Sequence, residues 1–179
     1  MILSPKTLLE LVEKEKLVEN LSERELTNPE GTGFDLRLGE VFKISGVAFL
    51  GETHRKTPDI ESVMVYDEKK PQAIKIKPGD FFLVKTIEKI NLPIDLSAVI
   101  LPRTTTFRSG LFIRTGPVQP GYSGELTFGL KNEGPVTVEL EMGARFVHLI
   151  FHEIKGEGSQ YRGQWQGGRV SATKREKQV

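Results

Sequence analysis

Short apolar segments separated by glycine and proline turns restrict the fold of this chain more than any other feature of its sequence. Residues 34–38 carry an apolar side chain at every second position, which is the pattern of a half-buried strand. Residues 144–151 are apolar almost throughout, as in a strand that is buried on much of both faces. Turn signals at residues 77–80 and 132–135 separate further segments of this kind. The pattern predicts an all-β sandwich or barrel.

A short N-terminal helix is the predicted exception to the strands. Ser4 suits the N-cap position and Pro5 the first helical position, and the residues that follow place apolar side chains on one face. We expect this helix to cover one end of a sheet. A chain of 179 residues is long enough for a sizeable core, so we predict a single domain over residues 1–179.

Charge and hydropathy exclude two classes of partner. The net charge is +1, with 25 basic and 24 acidic residues, which argues against a dedicated nucleic-acid-binding protein. There is no apolar run of about 18 residues that would cross a membrane, and the N-terminus lacks the apolar region of a signal peptide. We therefore expect a cytoplasmic protein that binds neither nucleic acid nor membranes.

The absence of cysteine excludes disulfides, thiol catalysis and cysteine-ligated zinc. Three histidines are present, and two of them, His148 and His152, lie four positions apart in one predicted strand. At the rise of a strand they are about 13 Å apart, too far to share a metal ion. We predict no protein-held metal.

One stretch in the second half of the chain combines groups that an ordinary core does not require. Arg103 and Arg108 present planar, charged guanidinium groups that suit phosphate oxygens, and residues 104–106 add three threonine hydroxyls. A Pro-Gly turn at residues 120–121 presents the preceding Gln119 at a fixed position. The alternative for this stretch is a β-hairpin whose arginines are solvated.

From about Gly156 the chain is polar and rich in glycine, and this tail cannot bury enough apolar surface to fold by itself. It nevertheless contains Tyr161 and Trp165, which suggest that it docks on a bound base or on a neighbouring subunit. The alternative is a tail that makes no contacts.

Five motifs occur in an order that resembles a known family. They are FDLRLG at 34–39, the arginine and threonine segment at 103–110, PGYSG at 120–124, GARFVHLIF at 143–151 and YRGQWQGG at 161–168. Together they resemble the dCTP deaminase and dUTPase superfamily, closest to its bacterial and archaeal deaminase-like branch. Each motif alone is weak, but the ordered set covers almost the whole chain.

The resemblance implies a distorted, jelly-roll-like β-barrel of the dUTPase type that assembles as a homotrimer. It implies active sites between subunits, each binding a pyrimidine deoxynucleoside triphosphate with Mg²⁺ held through the triphosphate. It also implies that the tail, residues 156–179, is flexible and closes over the site.

Residue by residue, the resemblance assigns phosphate binding to the segment that already looked suited to it. Arg103, Thr104 and Thr105 match an Arg-Ser-Ser signature with threonine in place of serine, and Arg108 matches a second arginine of the same motif. In the tail, Tyr161 and Gln166 match residues that close over the nucleotide. The strand after the turn is expected to line the base pocket with Thr127, Phe128 and Gly129.

Two departures from the family pattern affect the chemistry. The deaminases carry a glutamate where this chain has Gly129, and Glu125 on the same strand face is about 13 Å away. The family usually carries aspartate where this chain has Gln119, and an amide is not a general base near neutral pH. Phosphoryl transfer depends more on positioning than on a base.

These departures favour dUTP hydrolysis to dUMP and diphosphate, with Gln119 and Arg108 as the catalytic residues. The alternatives are dCTP deamination to dUTP and ammonia, and a nucleotide-binding regulator that has lost catalysis. An interaction scaffold that binds no nucleotide is a third possibility.

Asp35 lies two positions from Arg37 in the first predicted strand, so their side chains point the same way. From the residues alone we interpret the two as a surface ion pair. The resemblance adds an indirect role for Asp35 in binding Mg²⁺, but we favour a structural one.

Overall fold

The computed structural model describes residues 1–178, and strands dominate it. Val179, the last residue of the predicted tail, lies outside the described residues. The helices are α1 (Pro5–Glu15), α2 (Glu23–Thr27) and α3 (Thr104–Arg108). The strands are β1 (Val18–Glu19), β2 (Gly33–Ser45), β3 (Phe49–Leu50), β4 (His54–Lys56), β5 (Asp59–Val65), β6 (Ala73–Ile76), β7 (Phe81–Asn91), β8 (Leu96–Pro102), β9 (Leu111–Arg114), β10 (Ser123–Asn132), β11 (Val138–Glu141), β12 (Arg145–Glu153) and β13 (Glu176–Lys177).

Most strands belong to one strongly curved sheet. Its order is β8-β12-β2-β7-β10-β9, with β1 added on β7 and β5 added on β2, and neighbouring strands are antiparallel. Two small sheets, β11-β6 and β13-β4-β3, complete the fold. The architecture is a distorted, jelly-roll-like β-barrel, which confirms the predicted fold class.

The core lies inside this barrel and follows the alternation seen in the sequence. Phe34, Leu36 and Leu38 of β2 are fully buried, and in β10 buried residues alternate with partly exposed ones. Phe128 of β10 packs edge-on against Phe146 of β12, with ring centroids 5.7 Å apart. This aromatic contact joins two strands that are not neighbours in the sheet, across the interior of the barrel.

Helix α1 begins and ends where local chemistry allows. The Ser4 hydroxyl accepts a hydrogen bond from the backbone N–H of Thr7 at 3.3 Å, and Pro5 occupies the first turn. The helix ends at Lys16, whose φ of 54° is left-handed, and Leu8 is buried beneath it. These features confirm the predicted helix.

Within residues 1–178, no helix has the length and apolar character needed to cross a membrane.

The segment after β8 forms a helix where a hairpin was the alternative. Helix α3 contains the three threonines, with Arg103 at its N-cap position. The buried Thr106 hydroxyl donates to the carbonyl of Phe146 at 2.8 Å, which fixes the helix against β12. Thr104, Thr105 and Arg108 are left exposed on the surface of α3.

Residues 46–72, which we call the excursion, contain β3, β4 and β5. The tail returns to the excursion, because β13 pairs with β4 and the N–H of Thr57 donates to the carbonyl of Ala172 at 3.0 Å. The tail thus docks on its own chain.

Candidate functional site

A cavity of about 470 Å³ opens beside strands β7 and β10. We call it the barrel cavity. Its walls come from β7, from β10, from residues 116–119 before the turn, from the excursion at residues 57–58 and from the tail at Tyr161, Trp165 and Arg169. Most of the lining residues are apolar or aromatic, which is typical of a binding pocket for a small molecule.

Few polar groups face this cavity. Among the described residues that line it, none carries a carboxylate and Arg169 is the one with a charged side chain. The Thr127 hydroxyl is buried and has no hydrogen-bond partner within residues 1–178. An unpaired buried hydroxyl costs about 1–3 kcal/mol. The Thr127 hydroxyl therefore has hydrogen-bonding capacity that no described residue uses.

Gly129 is not among the lining residues, because the ring of Phe81 covers it. A Cβ built on Gly129 would lie 3.2 Å from Phe81 Cζ and 3.4 Å from Arg114 Cβ. Gly129 is in regular antiparallel pairing opposite Leu83, so space and not backbone conformation explains the glycine. Phe81 itself lines the cavity.

The turn at residues 120–121 holds Gln119 at the cavity wall. The N–H of Tyr122 donates to the carbonyl of Gln119 at 3.1 Å, and Gly121 has the left-handed φ of 73° that the turn requires. The Tyr122 hydroxyl donates to the carbonyl of Glu125 at 2.6 Å. Burial, together with Tyr161 and Glu125 nearby, raises the pKa of Tyr122 to about 12. Tyr122 is therefore protonated near neutral pH.

The tail contacts the same turn. The N–H of Tyr161 donates to the carbonyl of Pro120 at 2.7 Å, and its ring packs edge-on against Tyr122 with centroids 5.6 Å apart. The side-chain amide of Gln166 donates to the carbonyl of Gly121 at 3.0 Å. Tyr161 lines the cavity, whereas Gln166 contacts the turn and is not among the lining residues.

A second polar region surrounds Asp35 of β2. We call it the Asp35 cluster, and it consists of Arg24, Glu25, Asp35, Arg103, Arg145 and His148. Asp35 is 5% exposed; one carboxylate oxygen lies 2.8 Å from His148 Nδ1, and the other lies 2.9 Å from Arg103 Nε and 3.0 Å from Arg145 Nη1. Burial raises the pKa of Asp35, but the His148 hydrogen bond and the two arginines outweigh it, so the pKa lies below its ordinary value.

The predicted ion pair between Asp35 and Arg37 is wrong. Arg37 pairs with the buried Glu88 of β7, with 2.7 Å between Nε and Oε1. The reason is that β2 lies between β12 and β7 in the sheet, so each charged side chain finds its partner on a neighbouring strand. Both oxygens of Asp35 are occupied by side chains, which fits the structural role that we favoured.

The residues predicted to bind nucleotide fall into two groups. Gln119, Thr127, Phe128 and Tyr161 line the barrel cavity. The others lie outside it in the same chain: Arg103, Thr104, Thr105, Arg108, Gly129 and Gln166. Arg103 is bound to Asp35, and Arg108 is exposed with its guanidinium carbon 5.9 Å from the centre of the Phe107 ring.

The lining residues that sequence reasoning missed include Phe81, Trp165 as a cavity residue of the same chain, and Arg169. Phe81 follows a turn signal and reads as an ordinary strand residue. The aromatic content of the tail did indicate docking, and the docked Trp165 has the Arg55 guanidinium carbon 5.4 Å from its ring centroid. No local pattern distinguishes Arg169 from the other basic residues of the tail.

Comparisons with known proteins agree with this architecture. The family profile described as dCTP deaminase-like matches residues 2–154. A protein of Dictyoglomus turgidum named "dCTP deaminase, dUMP-forming" is 32% identical over 178 residues, covering 92% of this chain and 91% of the relative. A Methanothermobacter thermautotrophicus protein named "Probable deoxyuridine 5'-triphosphate nucleotidohydrolase" is 30% identical over 142 residues, covering 79% of this chain and 89% of the relative.

Among solved structures, the 2'-deoxycytidine 5'-triphosphate deaminase of Agrobacterium tumefaciens superposes with a TM-score of 0.66. The sequence identity is 18%, and the match covers 86% of this chain and 48% of that chain. This chain therefore spans about half the length of that solved structure. At this identity the likeness supports the fold.

Proposed function

This chain belongs to the dCTP deaminase-like family, and on that basis we propose that it is an enzyme acting on a pyrimidine deoxynucleoside triphosphate, with dCTP deamination as the leading reaction. The observation that carries the proposal is the barrel cavity, in which the unpaired Thr127 hydroxyl and Gln119 lie among apolar and aromatic walls. A pyrimidine ring presents flat apolar faces and a polar edge, which such walls complement.

The family profile and the bacterial relative are both named for dCTP deamination, so they favour this reaction over the dUTP hydrolysis that the sequence departures favoured. In the dUMP-forming version, dCTP and two waters give dUMP, ammonium and diphosphate. Deamination requires proton transfer, and the described lining residues of one chain carry no carboxylate. We expect a neighbouring subunit to supply the missing acid or base.

A site shared between subunits also accounts for the position of the phosphate-binding segment. We propose that Arg103, Thr104, Thr105 and Arg108 bind the triphosphate held in the cavity of a neighbouring copy in a homotrimer. The support is that they lie outside the cavity of their own chain, beside the exposed apolar side chains Val99, Leu101, Phe107 and Phe112. Exposed apolar patches of this kind are typical of subunit contacts.

The remaining assignments follow from the cavity. Gln119 would contact the sugar or the attacking water, Thr127 and Phe128 the base, and Tyr161 and Gln166 would hold the tail over the site. Within residues 1–178, no group of three His, Cys, Asp or Glu side chains is placed to hold a metal ion. Mg²⁺ is therefore proposed to enter bound to the triphosphate.

A second candidate reaction is dUTP hydrolysis to dUMP and diphosphate. It is favoured by the same lack of a carboxylate in the described lining, because phosphoryl transfer depends mainly on positioning and electrostatics. The archaeal relative carries a name for this reaction. A nucleotide-binding regulator without catalysis is the outcome if nucleotide binds and nothing is released.

The deciding experiment is incubation of the protein with dCTP or dUTP and Mg²⁺, with separate measurement of ammonium, diphosphate and dUMP. Ammonium from dCTP supports deamination, and accompanying diphosphate and dUMP indicate the dUMP-forming version. Diphosphate from dUTP without ammonium from dCTP supports the second candidate. Binding without product supports a regulator, and neither binding nor product would contradict the proposed function. dATP is the matched control substrate.

A further inference from the structure

Arg169 is the single charged side chain among the described residues that line the barrel cavity. It belongs to the tail, beyond the residues that the family profile matches. Its side chain is 40% exposed, so it lies at the open side of the cavity and not in the apolar interior. Within residues 1–178, the cavity thus has one positively charged lining side chain.

Contacts within the tail hold the guanidinium of Arg169 in place. Nη1 donates to Glu176 Oε2 at 2.9 Å, Nη2 donates to the other carboxylate oxygen, and Nε donates to the carbonyl of Ser171 at 2.9 Å. Glu176 also accepts a hydrogen bond from Gln164 at 2.6 Å, and Gln164 in turn accepts one from Arg55 of β4. The excursion and the tail therefore position this arginine jointly.

The pair formed by Arg169 and Glu176 is suited to exchange. Both side chains are partly exposed, at 40% and 27%, and ion pairs at such exposure contribute little net stability. A triphosphate offers several charged oxygens, and the planar fork that accepts two carboxylate oxygens also accepts two phosphate oxygens. A phosphate group that reaches the mouth of the cavity can therefore replace Glu176.

We propose that Arg169 is a phosphate-binding residue of the cavity in its own chain, and that it exchanges Glu176 for the ligand's phosphates when nucleotide binds. This inference rests on the proposed function, because it takes a deoxynucleoside triphosphate as the ligand. It gives the chain that binds the base its own contact to the phosphates, in addition to the arginines of α3 proposed to come from a neighbouring copy.

The test compares the affinities of three variants for dCTP, for deoxycytidine and for inorganic triphosphate by titration calorimetry. Arg169→Gln removes the charge at the cavity. Glu176→Gln removes the competing carboxylate and keeps a hydrogen-bonding group. Lys174→Ala is the matched control, because it removes one positive charge from an exposed position on the same segment that does not line the cavity.

We expect Arg169→Gln to weaken dCTP and triphosphate binding about tenfold to a hundredfold, as for the loss of one charge-assisted contact. We expect deoxycytidine binding to change less than about twofold, Glu176→Gln to strengthen dCTP binding a few fold, and Lys174→Ala to have little effect.

Equal weakening of dCTP and deoxycytidine by Arg169→Gln would overturn the inference, because the arginine would then act only through the shape of the cavity. The same holds if Glu176→Gln weakens dCTP as strongly as Arg169→Gln does. If the unmodified protein binds dCTP and Arg169→Gln leaves that affinity unchanged, this inference fails and the proposed function stands. If the protein binds inorganic triphosphate but no nucleotide, both fail, because the inference takes a nucleotide as its ligand. If it binds neither, both fail.

Discussion

The Asp35 cluster and the barrel cavity differ in whether their buried polar groups have partners. In the cluster, three arginines and a histidine surround the buried carboxylates of Asp35 and Glu25, and both Asp35 oxygens have partners. In the cavity, a buried hydroxyl has no partner within residues 1–178 and one cation lies at the mouth. The cluster thus pairs its carboxylates within one chain, whereas the cavity contains a hydroxyl that no described residue pairs with.

The largest expected loss of stability comes from removing the charge of Asp35 from the cluster. Asp35→Asn keeps the shape of the side chain but removes the carboxylate that pairs with Arg103 and the closer of the two carboxylates beside Arg145. We expect a loss of about 3–5 kcal/mol in the free energy of unfolding, as for other broken buried ion pairs. Chemical denaturation measures it. Glu61→Gln, at an exposed position of β5, is the control and should change stability by less than about 0.5 kcal/mol. A loss below about 1 kcal/mol for Asp35→Asn would show that the cluster is not structural.

The next largest expected loss of stability comes from a substitution next to Phe81 in the wall of the cavity. Gly129→Glu forces a side chain against Phe81, and we expect a loss of about 1–3 kcal/mol from overpacking. Phe81→Ala in the same chain should recover part of it, with a coupling of about 0.5–3 kcal/mol in a double-mutant cycle.

Gly116→Glu is the control for this cycle, because a Cβ there would meet no atom within 4 Å. Additive effects of Phe81→Ala and Gly129→Glu would mean that the ring does not restrict position 129.

The dependence of folding stability on acidic pH is a smaller expected effect, and its direction follows from the pKa of Asp35. The pKa of Asp35 is lowered by folding from an ordinary 3.8, so its contribution to stability is complete above 3.8 and is lost as pH falls through the lower folded value. The pKa of buried Glu88 is raised by desolvation and acts in the opposite direction.

The difference in stability between the unmodified protein and Asp35→Asn isolates the Asp35 contribution. Measured by denaturation across acidic pH, this difference should shrink below pH 3.8. A difference that is constant through this range would contradict the charged state that we assign to Asp35.

The smallest expected change in stability is on the cavity side. Thr127→Val removes an unpaired hydroxyl, so the stability of the free protein should stay the same or rise by up to about 1 kcal/mol. Its affinity for dCTP should fall about tenfold.

Thr86→Val is the matched control, because the Thr86 hydroxyl donates to the Glu88 carbonyl at 2.7 Å and accepts from the Leu126 N–H at 3.0 Å. We expect it to cost about 1–3 kcal/mol. If the two variants destabilise the protein equally, the Thr127 hydroxyl is paired after all.

The sequence was sufficient for features whose causes are local. The burial of Phe34, Leu36 and Leu38 and the cap at Ser4 depend on neighbouring residues, and the structure confirms both. The predicted half-burial of the strand is wrong at Asp35, which is buried as well. Helix α3 was not predictable, because β-branched threonines are poor helix formers and the contact that fixes it comes from Phe146, forty residues later.

The same limit applies to the candidate site. Phe81 covers Gly129 only because β7 and β10 pair in a particular register. That register could not be predicted from the sequence of either segment. Asp35 likewise received the wrong predicted partner, since its true partners include residues more than a hundred positions away in β12. Sequence patterns describe elements; contacts between elements require the fold.

The pairing of β13 with β4 has a consequence for how the protein is made. The excursion is synthesised well before the tail, so the side of the cavity that the tail forms is completed only after the other walls have been made. Contacts between such distant segments close late in folding, because the loop between them must first be ordered. Gln178 takes part in this late closure, because its side-chain amide donates to the carbonyl of Gly51 at 2.7 Å.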